Sequence, residues 1–193
     1  MLHLVLGGAR SGKSSFSESW LLSQLESEDQ NAIYLATAQA LDIEMQQRIE
    51  HHQLQRQGNN WQLVECPFLL TEFLSEADEN AYIIIDCLTL WLTNQLMLAL
   101  EKQQNEAVVA TTLSQKTKAL IHVLNEHPAT IVVVANEVGL GVVPMGKESR
   151  IFVDHAGWLN QHLAKVADQV TLVTAGLPLT LKSSNASEGD KRG

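Results

Sequence analysis

The chain has 193 residues, of which 45% are hydrophobic, and 13 basic against 22 acidic residues give it a net charge of −9. This length and composition predict one globular domain with one continuous core and exclude two large domains. The acidic balance argues against nucleic acid as a partner, because binding a polyanion is expected to require a basic surface.

The opening residues, MLHLVLGG, have neither the basic start nor the cleavage site of a secretory signal. No apolar run approaches the ~18 residues that suggest a membrane span. We therefore expect a soluble, cytoplasmic protein. Cys66 and Cys87 lack CxxC spacing, so we expect both to be buried free thiols.

Short apolar, β-branched segments alternate with longer helical patterns along the chain. Strands are predicted at 2–7, 32–37, 61–65, 81–86, 130–136 and 169–174, and helices at 13–25, 41–56, 67–75, 88–100, 107–125 and 150–167. Runs such as YIIID and IVVVA do not alternate in polarity, which is typical of strands covered on both faces. The alternation predicts an α/β fold with a mostly parallel central sheet flanked by helices.

The C-terminal part of the chain changes character after the last strong strand. AGLPLTL, at 175–181, carries a glycine and a proline, which predicts a turn leading into a short antiparallel edge strand. The remaining residues are small and polar, so we predict one domain over 1–182 and a disordered tail over 183–193. For Trp91 and Trp158 the expectation is core packing.

The sequence GGARSGKS fits the phosphate-loop pattern GxxxxGK[ST] in full and lies between a predicted strand and a predicted helix. In this context loop amides and a helix N-terminus face phosphate oxygens, Lys13 reaches the β- and γ-phosphates, and Ser14 can ligate Mg²⁺. The predicted nucleotide-binding residues of the loop are Gly7, Gly8, Ala9, Arg10, Ser11, Gly12, Lys13 and Ser14.

Asp86 ends the predicted strand YIIID and is the candidate acid of the metal site. In phosphate-loop proteins an aspartate at this place holds the Mg²⁺ shell. The alternative is that Asp86 caps the helix that begins near Leu88, since aspartate is a favoured N-cap residue. The two roles are compatible.

Other segments narrow the class of nucleotide-binding protein. A Ras-like switch should carry an NKxD element after a late strand, where this chain reads ANEVG at 135–139. RecA-like motors are usually larger and, when they move on nucleic acid, basic. A small-molecule transferase therefore fits best. The alternative from a different class is a nucleotide-dependent regulatory or assembly ATPase on the same scaffold.

Two adjacent histidines lie in the predicted helix at 41–56. At ~100° per residue, His52 shares a face with Leu41, Met45 and Ile49, whereas His51 lies among polar and charged side chains, including Arg48. The periodicity favours a packing role for His52. It leaves His51 as either a solvated histidine or a functional one.

The order of motifs carries a resemblance that covers the chain from residue 1 to about residue 182. GGARSGKS is followed by LATAQ, DIEMQQRIEHH, WQLVEC, IDCLTLWLTN, VVVANEVGLGVVP and FVDHAGWLNQHLA. This series closely resembles the bifunctional adenosylcobinamide kinase and adenosylcobinamide-phosphate guanylyltransferase family of cobalamin biosynthesis.

The resemblance implies a RecA-like P-loop fold, a homotrimer and two reactions. The first phosphorylates the aminopropanol hydroxyl of adenosylcobinamide with ATP or GTP. The second transfers GMP from GTP to the resulting phosphate and releases pyrophosphate, which gives adenosyl-GDP-cobinamide. The implied substrates are thus a corrinoid and nucleotides, with Mg²⁺ as cofactor.

The resemblance also implies roles for individual residues. In the family the second reaction passes through a guanylylated histidine, which corresponds here to His51, and Lys13 serves both reactions. Spacing alone, not the resemblance, makes Arg48, one helical turn from His51, a candidate for steadying the α-phosphate. Further nucleotide contacts are implied for Thr37, Ala38, Gln39, His52, Gln53, Leu54, Gln55, Glu65 and Asp86.

Some of these positions keep a second interpretation. Known members of that family often have glutamate where Asp86 stands, and the shorter aspartate moves the carboxylate back by one methylene. Glu65 could equally be a surface carboxylate at a strand end. Asn136 and Glu137, in a loop rich in glycine that leaves a core strand, are candidates for orienting substrate or metal, or else turn residues.

Overall fold

Seven strands form one sheet in the computed structural model, which describes residues 1–27, 30–39, 61–102, 105–142 and 144–183. The strands are β1 Leu2–Gly7, β2 Ala32–Ala36, β3 Trp61–Glu65, β4 Tyr82–Asp86, β5 Thr130–Asn136, β6 Gln169–Thr174 and β7 Leu177–Lys182. Their order in the sheet is β3-β2-β4-β5-β1-β6-β7. All neighbours are parallel except β6 and β7. The predicted α/β class and the antiparallel edge strand are confirmed.

Helices cover both faces of this sheet. Within the described ranges they are α1 Lys13–Leu22, α2 Leu70–Glu76, α3 Leu88–Lys102, α4 Glu106–Glu126 and α5 Lys147–Val166. Alternate strand residues feed two separate cores, because successive strand side chains point to opposite faces. Ile83 and Ile85 join the larger core with helices α2 to α5, and Ile84 joins the smaller one, against which Phe16 and Trp20 of α1 pack.

Three predicted helix boundaries are off by three residues, each for a local reason. Helix α5 begins at Lys147 rather than at residue 150, because the Gly146 carbonyl already accepts a hydrogen bond from the Arg150 backbone amide. Helix α2 begins at Leu70 rather than at residue 67, because the carbonyls of Pro67 and Phe68 accept hydrogen bonds from Asn94 and Gln95 of α3. Helix α1 ends at Leu22 rather than at residue 25. There the chain tightens into a turn in which the Gln24 amide bonds the carbonyl three residues earlier.

The two tryptophans differ from each other. Trp91 is 1% exposed and donates a hydrogen bond to the Phe68 carbonyl, which confirms its core position. The same expectation for Trp158 is wrong, since it is 52% exposed. Its helix buries Ala156 and Leu159, so the 3.6-residue period turns Trp158 outward.

Both cysteines are free and buried, as predicted. Burial raises the pKa of each thiol. Within the described residues, no helix is long and apolar enough to cross a membrane. The predicted helix at 41–56 and residues 184–193 of the tail lie outside the described residues, and the division into a domain over 1–182 and a tail stays a prediction.

His3, on β1, is a buried histidine that packs in the smaller core. Its imidazole is 1% exposed, lies 4.4 Å from the Trp20 ring and shares a 2.9 Å hydrogen bond with the Thr171 hydroxyl. Its Nδ1 atom is buried without a hydrogen-bond partner among the described residues. Burial lowers the pKa of His3 from 6.5 to about 4. The folded protein therefore holds this ring neutral.

This burial predicts a pH-dependent stability. Below pH 6.5 the unfolded chain takes up a proton that the folded chain takes up only near pH 4, so the free energy of unfolding falls as the pH drops between these values. The expected loss is on the order of 2 kcal/mol. Urea unfolding of wild type and His3→Gln at pH 7.0 and 4.5 measures it.

The exposed His122 provides the matched control. The loss of stability between the two pH values should be smaller in His3→Gln than in wild type, whereas His122→Gln should keep the wild-type difference. Equal losses in all three proteins would contradict the assignment.

Candidate active site

The phosphate loop connects β1 to α1 and follows a path that requires glycine at two positions. A Cβ on Gly7 would lie 2.5 Å from both the Ser11 hydroxyl and the Val173 carbonyl oxygen. Gly12 has φ of 93°, and a Cβ there would meet the Gly176 Cα at 3.3 Å. The glycines of the motif thus fit a loop pressed against β6 and the turn that follows it.

The loop is braced from both sides by backbone hydrogen bonds. The Gly176 amide donates to the Ser11 carbonyl at 2.8 Å, and the Glu137 amide donates to the Gly7 carbonyl at 3.1 Å. Gly8, Ala9 and Arg10 are exposed at the tip of the loop. The structure therefore presents the tip at the carboxyl edge of the sheet, where parallel α/β sheets bind ligands.

Lys13 is the first residue of α1 and is 8% exposed. Its ammonium group donates a 2.9 Å hydrogen bond to the Gly8 carbonyl, so the charge lies over the loop. Ser14, the next residue, is half-buried. A cation at the N-terminus of a helix adds to the positive end of the helix dipole. This arrangement concentrates positive potential locally in a chain whose net charge is negative.

Asp86, at the end of β4, lies within electrostatic reach of the same place. The pKa of the Cys87 thiol is raised to about 11, first by burial and then by the Asp86 charge, while the Lys13 charge opposes the rise. The pKa of the Cys87 thiol thus depends on both charges, so Asp86 and Lys13 both lie near this thiol. The Asp86 carboxylate accepts a hydrogen bond from the Tyr34 hydroxyl on β2. Among the described residues, it makes no hydrogen bond that would support the capping alternative.

Strand register places further predicted residues along the same edge. Gly7 pairs with Asn136 across β1 and β5, and Ala36 of β2 pairs with both Asp86 and Glu65. The phosphate loop, Asp86, Asn136 and the segment after β2 therefore share one edge of the sheet.

Glu65 is exposed at the far end of this edge. Strand β3 is separated from β1 by four strand spacings, about 19 Å. The structure therefore does not bring Glu65 next to the phosphate loop. Its predicted contact would have to involve another part of a nucleotide, or another nucleotide.

The segment Thr37, Ala38 and Gln39 continues from β2 at the site. Thr37 is fully buried, and its hydroxyl donates to the Cys87 carbonyl at 2.7 Å. The side chain of Asn94 donates to the Thr37 carbonyl at 2.9 Å. The Thr37 side chain is thus used inside the protein, and the partly exposed Ala38 and Gln39 are the members of this segment that face outward.

Asn136 is held by two helices. Its backbone amide donates to the Thr89 hydroxyl of α3 at 2.6 Å, and its backbone carbonyl accepts from the Asn160 side chain of α5 at 3.2 Å. Its own Oδ1 atom is buried without a partner among the described residues. A buried acceptor without a hydrogen bond lowers the stability of the folded protein, and such acceptors often occur at functional sites. Glu137 accepts from the Gly139 amide at 3.0 Å, which is a turn role.

Sequence reasoning missed the supporting side chains on α3. Thr89 and Asn94 are buried polar residues in the largely apolar helix segment LTLWLTNQLMLAL. A polar residue on the buried face of an apolar helix needs a partner, and this is the signal that could have found them. Both bond backbone at the carboxyl ends of strands, so they fix the shape of the site.

The remaining predicted residues lie outside the described residues. These are Arg48, His51, His52, Gln53, Leu54 and Gln55. Within the part of the chain that the structure describes, no three histidine, cysteine, aspartate or glutamate side chains form a metal-binding group. Ser14 and Asp86 still fit Mg²⁺, because this ion usually takes few protein oxygens beside phosphates and water.

Comparison with known proteins identifies the family to which the chain is similar. Residues 3–181 match the sequence profile of the family described as cobinamide kinase / cobinamide phosphate guanyltransferase. The bifunctional adenosylcobalamin biosynthesis protein CobP of Pseudomonas aeruginosa is 45% identical over 184 residues, which is 94% of this chain and 98% of that protein.

Two further relatives cover as much of the chain. The bifunctional adenosylcobalamin biosynthesis proteins CobU of Salmonella typhimurium and of Escherichia coli are 38% and 37% identical, each over 94% of this chain and 100% of its own length. With the phosphate loop, Lys13 and Asp86 at one edge of a parallel sheet, these matches show that the chain belongs to the cobinamide kinase / cobinamide phosphate guanyltransferase family.

Proposed function

We propose that this protein phosphorylates adenosylcobinamide with ATP or GTP and then transfers GMP from GTP to the adenosylcobinamide phosphate. The observation that carries the proposal is the family match over 3–181, together with a phosphate loop braced for polyphosphate binding. The products are adenosyl-GDP-cobinamide and pyrophosphate.

In the kinase step the hydroxyl oxygen of adenosylcobinamide attacks the γ-phosphorus of the nucleotide. A P–O bond forms between the hydroxyl oxygen and the γ-phosphorus, the bond from the γ-phosphorus to the β-phosphate oxygen breaks, and the hydroxyl proton passes to water. The loop amides and Lys13 hold the β- and γ-phosphates and stabilise the charge that develops there. Mg²⁺, held by Ser14 and Asp86, would supply further neutralisation of phosphate charge.

In the second step the nucleophile is His51. A neutral imidazole attacks the α-phosphorus of GTP, a P–N bond forms, and pyrophosphate leaves. A phosphate oxygen of adenosylcobinamide phosphate then attacks the same phosphorus and releases the histidine. Two transfers let pyrophosphate depart before the bulky corrinoid phosphate enters. Arg48 would steady the α-phosphate.

The assignment of the other nucleotide contacts also stays part of this proposal. It includes the loop residues from Gly7 to Ser14, the segment 37–39, the segment 52–55, and Glu65 and Asp86. Asn136 fits a positioning role, because Thr89 and Asn160 fix its backbone, and its side-chain oxygen has no partner in the part of the chain that the structure describes. Glu137 fits a turn role better, because its carboxylate bonds the Gly139 amide.

We also propose a cytoplasmic homotrimer. Its support is the family resemblance and, for assembly, an apolar face on the edge strand β7. Leu177, Leu179 and Leu181 are all more than half exposed. Leu177 and Leu179 lie two residues apart in the regular part of the strand, so they share one face. Exposed apolar surface of this kind often marks a protein contact.

The proposal is tested by product analysis with the purified protein. Incubation with adenosylcobinamide, Mg²⁺ and ATP should give a phosphorylated corrinoid, and GTP should give in addition the GDP derivative and pyrophosphate, as read by chromatography and mass spectrometry. A regulatory or assembly ATPase would instead hydrolyse the nucleotide and leave adenosylcobinamide unchanged, which would contradict the proposal.

A further inference from the structure

Among its described residues, the loop between β5 and α5 exposes three large apolar side chains. Leu140 is 85% exposed, Val142 is 97% exposed and Met145 is 98% exposed. They lie within six residues of one another in the chain. Burying a side chain of this size is worth about 1.5–3 kcal/mol, so their exposure leaves a large hydrophobic driving force unused. Clustered exposed apolar residues mark binding surfaces.

This loop is tied down at both ends. Near its start, the Glu137 carboxylate accepts a hydrogen bond from the Gly139 amide. Near its end, the Arg150 guanidinium donates to the carbonyls of Pro144 and Met145. The backbone thus presents the apolar side chains outward, and the hydrogen bonds that do so use polar groups of α5 and of the loop itself.

The loop is continuous with the phosphate site. It begins directly after Asn136, the residue paired with Gly7, and the Glu137 amide donates to the Gly7 carbonyl. The loop therefore borders the phosphate site on the β5 side, where an acceptor whose hydroxyl reaches the phosphates can lie against it. The phosphate loop and helix α1 already account for binding of the polyphosphate, which needs no apolar platform.

We propose that Leu140, Val142 and Met145 form the contact surface for the corrin ring of the acceptor substrate. This inference rests on the proposed function, because that function makes the acceptor a corrinoid. A corrin ring is broad, and it carries apolar methyl groups on its periphery between its polar amide side chains. Adenosylcobinamide also carries a positive charge, which the net charge of −9 does not oppose. A methionine in the surface adapts to an irregular ligand.

Steady-state kinetics of a triple variant, Leu140→Ser, Val142→Ser and Met145→Ser, tests the assignment. The KM for adenosylcobinamide in the kinase reaction should rise at least about tenfold, which corresponds to about 1.4 kcal/mol, with kcat changed much less. The affinity for GTP, measured separately by calorimetry, should stay within about twofold. Since all three side chains are exposed, the variant should keep its thermal midpoint.

The matched control replaces two exposed apolar residues elsewhere, Leu69→Ser and Met97→Ser, which are 59% and 52% exposed. This control should keep the wild-type KM. An unchanged KM in the triple variant overturns the proposal. If sedimentation velocity also shows that the assembly of this variant has dissociated, the surface belongs to a contact with a second copy of the chain.

Failure of the proposed function itself is a separate result. It would appear in the wild-type protein as absence of any corrinoid product. In that case equilibrium dialysis, with the visible absorbance of adenosylcobinamide as the signal, still measures its binding to the surface directly. Weaker binding by the triple variant than by wild type supports the surface, and equal binding overturns it.

Discussion

Replacing His51 with alanine is expected to abolish transfer of GMP while phosphorylation of adenosylcobinamide continues. The imidazole is the proposed nucleophile of the second reaction, and its loss removes the covalent intermediate altogether. A decrease of roughly 10⁴-fold or more in the rate of GMP transfer is expected. The kinase reaction should persist, because the hydroxyl of adenosylcobinamide attacks the γ-phosphorus directly.

The measurement uses GTP labelled at the α-phosphate. Wild-type protein with Mg²⁺ should acquire a label that acid removes and alkali does not, as expected of a phosphoramidate, and His51→Ala should acquire none. His122→Ala, which replaces an exposed histidine on α4, is the matched control and should acquire the label as wild type does. Full labelling of His51→Ala would contradict the assignment of the nucleophile.

Replacing Lys13 with methionine is expected to impair both reactions by about 100- to 1,000-fold. The methionine keeps the unbranched stem but removes the ammonium group that lies over the loop, where it bonds the Gly8 carbonyl. In both reactions phosphate charge increases beside this group, so both transition states lose stabilisation. The effect should fall mainly on kcat.

Parallel assays of the kinase reaction and of GMP labelling give the two rates. Lys116→Met, an exposed replacement on α4, is the matched control and should retain both activities. Comparison of unfolding midpoints tells whether the loop itself is damaged. If Lys13→Met lost the kinase reaction but labelled normally with GMP, the two reactions would use different phosphate sites.

The order of elements and the phosphate site follow from local signals. The run YIIID predicts β4 and places Asp86 at its end, and GGARSGKS predicts both the loop and the start of α1 at Lys13. These features depend on residues adjacent in sequence. The chain also contains the apolar strands that a doubly covered sheet requires, so the α/β class can be predicted.

Features that depend on contacts between distant segments could not be predicted. The late start of α2 arises from α3 side chains that bond Pro67 and Phe68. The distance of Glu65 from the phosphate loop depends on the strand order, which strand propensity does not determine. The positions of Thr89 and Asn160 around Asn136 likewise require the packed helices.

The hydrogen bond from the Gly176 amide to the Ser11 carbonyl has a consequence for the minimal size of the enzyme. The turn between β6 and β7 supplies this bond, and Gly176 also packs against Gly12. A chain shortened to end with β6 would keep every parallel strand yet lose this support. The smallest unit able to shape its nucleotide loop therefore extends past the parallel sheet into the terminal hairpin.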